Sequence, residues 1–231
     1  MLTLFQYPLS VPSRYVRLLL QEYHIAAHLV LEEEWQKRAD FRKLNLAGTV
    51  PVLVEKGSRP ICGADVICEY LDETCGALRP KEPLFPQNPL DRAEVRRLCR
   101  WFLEKFNNDI ARPIVHERII KQNIPPVRGG GAPNSAILRL ARANIRPHMG
   151  YLAFLVKTRH FIGNAHLSYA DFAAAACISV LDYIGEIDWS SQPQHLLHWY
   201  ARLKSRPSFR PLLGDRLREM APASHYADLD F

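Results

Sequence analysis

Thr49-Val50-Pro51-Val52-Leu53, followed after a short turn by Cys62-Gly63-Ala64-Asp65-Val66-Ile67-Cys68-Glu69-Tyr70-Leu71, decides how this chain is read. Val52 to Glu55 and Arg59 to Cys62 flank Lys56-Gly57-Ser58, the pattern of two short strands around a turn. A helix is predicted from about Asp65 to Thr74, with Gly76 at the position where a glycine closes a helix. Pro51 stands at the head of the first strand. It is either a cis residue, since only an X-Pro bond makes cis accessible, or a plain proline at a strand's first position. The cis form is favoured because hairpin and helix follow in register. It is expected to leave the Val50 N–H and C=O unpaired at a cleft.

On the N-terminal side, residues 2–6 and about 28–33 read as strands. A helix from Ser13 to roughly Tyr23 joins them, with Val16, Leu19, Leu20 and Tyr23 forming one apolar stripe. The order βαβ and then ββα is that of a thioredoxin-like domain, placed at 1–78. Pro80, Pro83, Pro86 and Pro89 mark a linker over 79–89, because no helix continues through such a run. From 90 to 220 the pattern is helical. Val95, Leu98, Phe102, Phe106 and Ile110 keep one period; Leu138, Ala141, Ile145, Met149 and Leu152 keep another. Between them Pro125-Pro126 and Gly129-Gly130-Gly131 predict an exposed, mobile loop, and 221–231 is set apart as a tail.

The chain has 231 residues, 48% of them hydrophobic and 23% charged, which suits a folded soluble protein. Its net charge of +6 favours acidic partners, but the cations are spread over amphipathic segments without stacking aromatics, so nucleic acid is not indicated. The start, Met1-Leu2-Thr3-Leu4, lacks the basic n-region of a signal peptide, and no apolar run is long enough for membrane insertion. Five irregularly spaced cysteines give neither a disulfide framework nor a zinc motif, as expected of a reduced, cytoplasmic protein. His195-x-x-His198 lacks further ligands, so no metal site is expected.

Ser168-Tyr169-Ala170-Asp171 is a variant capping box, with Ser168 and Asp171 in structural roles, leading into an almost wholly apolar helix from Phe172. With Val50-Pro51 and the Ile67-x-x-Tyr70-Leu71 helix, it resembles the glutathione S-transferase (GST) family over nearly the whole chain. The resemblance implies an α/β thioredoxin-like domain followed by an all-α domain. It also implies a glutathione cleft at Val50, Pro51 and Asp65, and a catalytic hydroxyl at Ser10. A hydroxyl there would stabilise the glutathione thiolate; the alternative is that Ser10 or Ser13 caps the first helix. Where the family carries Glu-Ser for the γ-glutamyl group, this chain has Gly63-Ala64. Each charge-assisted bond lost is worth about 1.5–3 kcal/mol, so two or three such losses weaken glutathione roughly a hundredfold or more. No cofactor is therefore assigned.

Trp35 sits inside the charged run Glu32 to Arg38, where it could line the cleft, anchor a partner or cover the domain edge. Arg112, His116, Arg118 and Lys121 form a basic run near the expected second-substrate site. The tail alternates aromatic and acidic residues, suited either to docking on its own chain or to a partner groove. Gly63-Ala64, the segment Lys204 to Leu213 and the ending His225 to Phe231 resemble the FzlA group of GST-fold bacterial proteins. That resemblance implies a non-catalytic cytoplasmic homodimer at the division site that binds FtsZ and regulates filament curvature and constriction. Trp35, Arg112, His116, Asp228 and Phe231 are the candidate contacts. The competing readings are a glutathione-dependent transferase or isomerase using Ser10, and a stress or translation accessory protein that uses the fold to dimerise.

Overall fold

A four-stranded sheet in the order β2-β1-β3-β4 forms the N-terminal layer. The computed structural model describes residues 2–79 and 82–229. β1 (Leu2–Gln6) runs parallel to β2 (His28–Leu31), with Phe5 opposite Val30, and antiparallel to β3 (Val52–Glu55), with Phe5 opposite Val52. β4 (Ile61–Cys62) closes the hairpin expected from the sequence, and Val50–Pro51 is cis. The parallel pair needs a crossover, which is α1 (Val11–Glu22); α2 (Ala39–Leu44) and α3 (Ala64–Cys75) complete this layer.

Gly76 does not close α3 in a left-handed conformation. Its φ is −56°, and the chain tightens into one more turn, Gly76–Leu78, before turning away. The left-handed glycine lies at the other end: Gly63, with φ +94°, stands just before α3. Any side chain there is strained.

The second layer is helical. Asn88 caps α4 (Pro89–Arg100), accepting from Leu90 N–H at 2.8 Å. The chain then continues without a break as a widened helix over Trp101–Ala111, through α5 (Arg112–Val115), into a second widened stretch at His116–Ile120. In the widened turns the N–H reaches back five residues, as from Arg112 to the Asn107 carbonyl. The sequence period shows a helix but not this widening, which accommodates Pro113, a residue with no N–H to offer. The helices α6 (Ser135–Arg159), α7 (Tyr169–Ile184), α8 (Gln194–Lys204) and α9 (Arg210–Leu213) follow. Every residue of α7 is buried, as its apolar run predicts.

Asp171 carries out the capping role expected of it and more. One carboxylate oxygen accepts from the Ser168 N–H at 3.0 Å and the Ser168 hydroxyl at 2.8 Å. The other accepts from Ile162 N–H and Trp199 Nε1, both at 3.0 Å.

The loop at 124–133 is exposed but not featureless. Arg128 and Gly130 both donate to the Pro125 carbonyl, Gly131 donates to the Lys121 carbonyl, and a Cβ on Gly130 would fall 1.6 Å from the Ile124 oxygen. Gly130 is required by this close backbone approach, while Gly129 and Gly131 supply left-handed turns, φ +94° and +129°, with open space around them. His195 and His198 join no cluster of three His, Cys, Asp or Glu among the described residues, and all five cysteines are free.

The two layers meet across α1, and the contact is more polar than its apolar stripe suggests. Glu22 receives Arg206 at 2.7 and 2.8 Å, Arg79 at 2.7 Å and the Ser208 hydroxyl at 2.5 Å. Burial alone would raise the Glu22 pKa; the bonds from Arg206 and Ser208 outweigh it and hold the group below its ordinary 4.5. A depressed carboxylate contributes stability above its unfolded pKa, and that contribution is lost as pH falls through the folded value. Wild-type stability, followed by urea midpoint against pH, is therefore expected to decline below about pH 4.5, and Glu22→Gln to flatten that arm while lowering the neutral-pH midpoint.

Candidate functional site: the interlayer cleft

Between the sheet layer and the α4–α5 helix lies a cleft of about 1380 Å³. Its walls carry most of the residues singled out from sequence: Ser10, Trp35, Val50, Pro51, Asp65, Arg112 and His116. Asp228 is not among them. Phe231 lies outside the described residues.

The sheet-side wall is built by the chain segments at the ends of β1, β2 and α2. Ser10 is the N-cap of α1, and its hydroxyl oxygen accepts from the Ser13 N–H at 3.3 Å. Ser13 is fully buried and its hydroxyl accepts from Tyr7 N–H at 3.4 Å. The capping alternative is thus realised at Ser10, and its hydroxyl proton still borders the cleft. Trp35 lies half-buried, with its ring edge-on to Tyr7 at 5.2 Å between centroids. Two of its sequence alternatives hold together, since it lines the cleft and packs on the edge of the small layer.

The Val50 N–H is not free. It donates to Glu34 Oε1 at 2.7 Å, so the chain supplies its own acceptor where an open backbone group was expected. Burial raises the Glu34 pKa; the Val50 bond and the charge of Arg112 work against that rise without cancelling it. Glu34 escaped the sequence reading because Glu32-Glu33-Glu34 looks like a solvated acidic run, whereas the short turn Glu34–Gln36 points it inward. Tyr7 escaped it too. It lines the cleft, and burial raises its pKa, so its hydroxyl stays protonated, a neutral hydrogen-bond donor rather than a phenolate.

On the helical wall, Arg96 grips Glu69 at 2.7 and 2.9 Å and Arg100 pairs with Glu104 at 2.9 Å. These cations are already used. Arg112 is exposed at the cleft and has no ion pair among the described residues. His116 is 44% exposed, with Nδ1 at 3.3 Å from Glu117. The rest of the basic run is committed within the chain: Arg118 to Glu186 at 2.7 Å, Lys121 to Glu117 at 2.8 Å. Only Arg112 and His116 of the four thus present a free edge to the cleft.

The tail docks on the protein itself. Tyr226 is buried against Tyr183, accepts from Arg14 Nη1 at 2.9 Å and donates to the Leu212 carbonyl at 2.8 Å. Asp228, two residues on, is exposed.

Residues 10–74 match the family model described as glutathione S-transferase, N-terminal domain. Over 99% of this chain and 98% of the relative, the sequence is 41% identical to FtsZ-localized protein A of Caulobacter vibrioides. The chain belongs to the FzlA group of the glutathione S-transferase family. A glutathione S-transferase structure from Sinorhizobium meliloti 1021 superposes with a TM-score of 0.97 at 54% identity, covering all of both chains. FzlA from C. crescentus superposes with a TM-score of 0.89 at 40% identity, covering 100% of this chain and 99% of that one. Gly63-Ala64 and the Glu34–Val50 bond both lie at this cleft.

If Ser10 serves the fold as a cap, Ser10→Ala is expected to cost about 1 kcal/mol in urea unfolding, with Ser10→Gly costing only a few tenths. A larger loss for glycine than for alanine would show that the hydroxyl is not acting as the cap.

Proposed function

We propose that this chain is a non-catalytic GST-fold protein that associates with FtsZ filaments at the bacterial division site. The observation that carries the reading is its full-length relation to FtsZ-localized protein A. Two features of the cleft support a binding role over transferase chemistry. The γ-glutamyl contacts are absent at Gly63-Ala64, and the Val50 N–H that a cysteinyl carbonyl would need is already bonded to Glu34. Glutathione must therefore displace an internal acceptor and then bind without its usual anchors. No cofactor and no metal enter this reading.

The open edge of the cleft offers Trp35, Arg112 and His116 as one contact patch, an aromatic surface beside a guanidinium without an ion pair among the described residues and a part-exposed imidazole, and Trp and Arg are residue types that anchor interfaces. Asp228 forms a separate point of contact. In this reading the protein acts as a homodimer. Two copies of one weak site bridging repeated filament subunits multiply affinity without new contacts, and such bridging is the route to bundling, curvature and control of constriction.

A second reading has its own observation. The superposed Sinorhizobium meliloti structure carries the name glutathione S-transferase, and the Ser10 hydroxyl borders the cleft. It predicts a transferase or isomerase in which Ser10 donates to the glutathione sulfur.

Calorimetric titration separates the two. Glutathione raised to millimolar concentration is expected to give no saturable isotherm, and a generic electrophile no turnover; micromolar binding lost in Ser10→Ala would install the transferase reading instead. For the binding reading, Trp35→Ala and Asp228→Lys are each expected to abolish co-sedimentation with FtsZ polymers while the thermal midpoint stays within a few degrees, since neither residue is fully buried. Full pelleting of both variants would remove these residues from the contact.

A further inference from the structure

Glu34 occupies the floor of the interlayer cleft as a bound group would. Its Oε1 accepts from the Val50 N–H at 2.7 Å, the main-chain donor beside cis-Pro51. Burial raises the Glu34 pKa, and neither the Val50 bond nor the charge of Arg112 cancels that rise. The charged carboxylate is therefore held in the cleft at a cost, which a move into water would relieve. Arg112 acts on it from the helical wall, so a carboxylate at this spot is answered from both sides.

The cleft also carries more positive charge than its own acids answer. Of the other acids in its lining, Glu69, Glu104 and Glu117 are bound to Arg96, Arg100 and Lys121. Asp65 stands in the first turn of α3, where a helix N-terminus favours an anion. Lys37, Arg42 and Arg112 line the same cleft, are exposed, and have no ion pair among the described residues. Lys37 ends the turn that carries Glu34 in a left-handed conformation, φ +53°, where glycine or asparagine is the ordinary choice. Arg42 lies against the turn before Val50, its Nε 3.6 Å from where a Cβ on Gly48 would stand.

We propose that the cleft takes an acidic, extended segment of a partner protein, one of whose acceptors replaces Glu34 at the Val50 N–H while its carboxylates meet Lys37, Arg42 and Arg112. Glu34 is then a resident competitor that keeps the floor satisfied until such a segment arrives. An extended chain fits because the group at the floor is a main-chain donor next to β3, and a helix has already used its own backbone partners. Alternate side chains of an extended segment point to opposite sides, so apolar ones can face Val11, Leu103 and Val115, which line the same walls. A second copy of this chain is poorly suited to the cleft. Its net charge is +6, its run Glu32 to Glu34 is built into this same wall, and beyond the anchored Tyr226 it has only Asp228 and Asp230 to offer. A nucleic-acid strand calls for rings on which to stack, whereas Tyr7 and Trp35 pack edge to face on each other. The proposal deepens the reading of this cleft as a protein-contact site and rests on it.

The test is fluorescence anisotropy of the full chain with a labelled, end-blocked peptide of about eight residues that alternates aspartate and valine. Saturable binding is expected, falling steeply with salt, with at least tenfold weaker binding when lysine replaces aspartate. Glu34→Ala should tighten the acidic peptide tenfold or more, and Glu34→Gln, which keeps an acceptor for Val50, should tighten it less. Lys37→Glu with Arg42→Glu should weaken it tenfold or more with unchanged circular dichroism, and decides the matter alone if Glu34→Ala does not fold. No binding of the acidic peptide, equal binding of both peptides, or a folded Glu34→Ala that binds no tighter would each overturn the proposal. So would tighter binding of a thymidine oligonucleotide, or peptide binding that appears only in Asp228→Asn with Asp230→Asn, which would assign the cleft to a neighbouring copy's tail. FtsZ co-sedimentation, measured in parallel, tells the two claims apart. Pelleting without peptide binding overturns only this one, and competition by micromolar glutathione overturns both.

Discussion

A fully buried guanidinium holds this molecule together. Arg14, on the crossover helix of the sheet layer, donates to the Pro8 carbonyl at 2.6 Å, to Ser179 on the central helix at 3.0 Å and to Tyr226 of the tail at 2.9 Å. A cation removed from water costs several kcal/mol unless it is paired and hydrogen-bonded; Arg14 is answered through Nε and Nη1, while Nη2 makes no hydrogen bond and is met by the Asp215 carboxylate at 3.5 Å. Each answer comes from a different part of the chain. The two layers and the chain end are therefore fixed relative to one another by one side chain's need for acceptors. Arg17, paired with both Asp215 oxygens at 2.8 Å, and Glu22, with its three donors, extend the same polar seam along α1.

The cleft follows from that clamping. Two layers held along α1 diverge on either side of it, and the widened helix from Trp101 onward forms the facing wall. The floor is the turn before β3, where a backbone N–H is turned toward the gap and is met by Glu34. A ligand that called on that N–H would have to displace Glu34. What the cleft still presents is at the rim, where Trp35 and Arg112 stand.

Much of this was legible in the chain itself. Strand alternation, the hairpin turn, Pro51 and the Ser168–Asp171 box each have a local cause, and each appears where that cause places it. What the sequence hid depends on tertiary surroundings. Nothing in the pattern of α1 singles out Arg14 and Arg17 as buried, because charge is normally a sign of exposure. Glu34 read as one of three acids in solvent. Gly76 read as a cap because a glycine at a helix end usually is one, and only the continuing turn shows otherwise. The widened turns are invisible to a periodicity argument, which tolerates one extra residue per turn over a short span.

The burial of Tyr226 has a consequence for the residues beyond it. Asp228 lies two positions past a ring locked against Tyr183, so covalent geometry keeps it within about 7 Å of that anchor. A carboxylate so tethered does not search space as a flexible arm does; it is presented from a fixed platform, and little ordering entropy opposes its capture. Because the platform is secured by Arg14, whatever grips the end of this chain is mechanically in series with the seam between its layers.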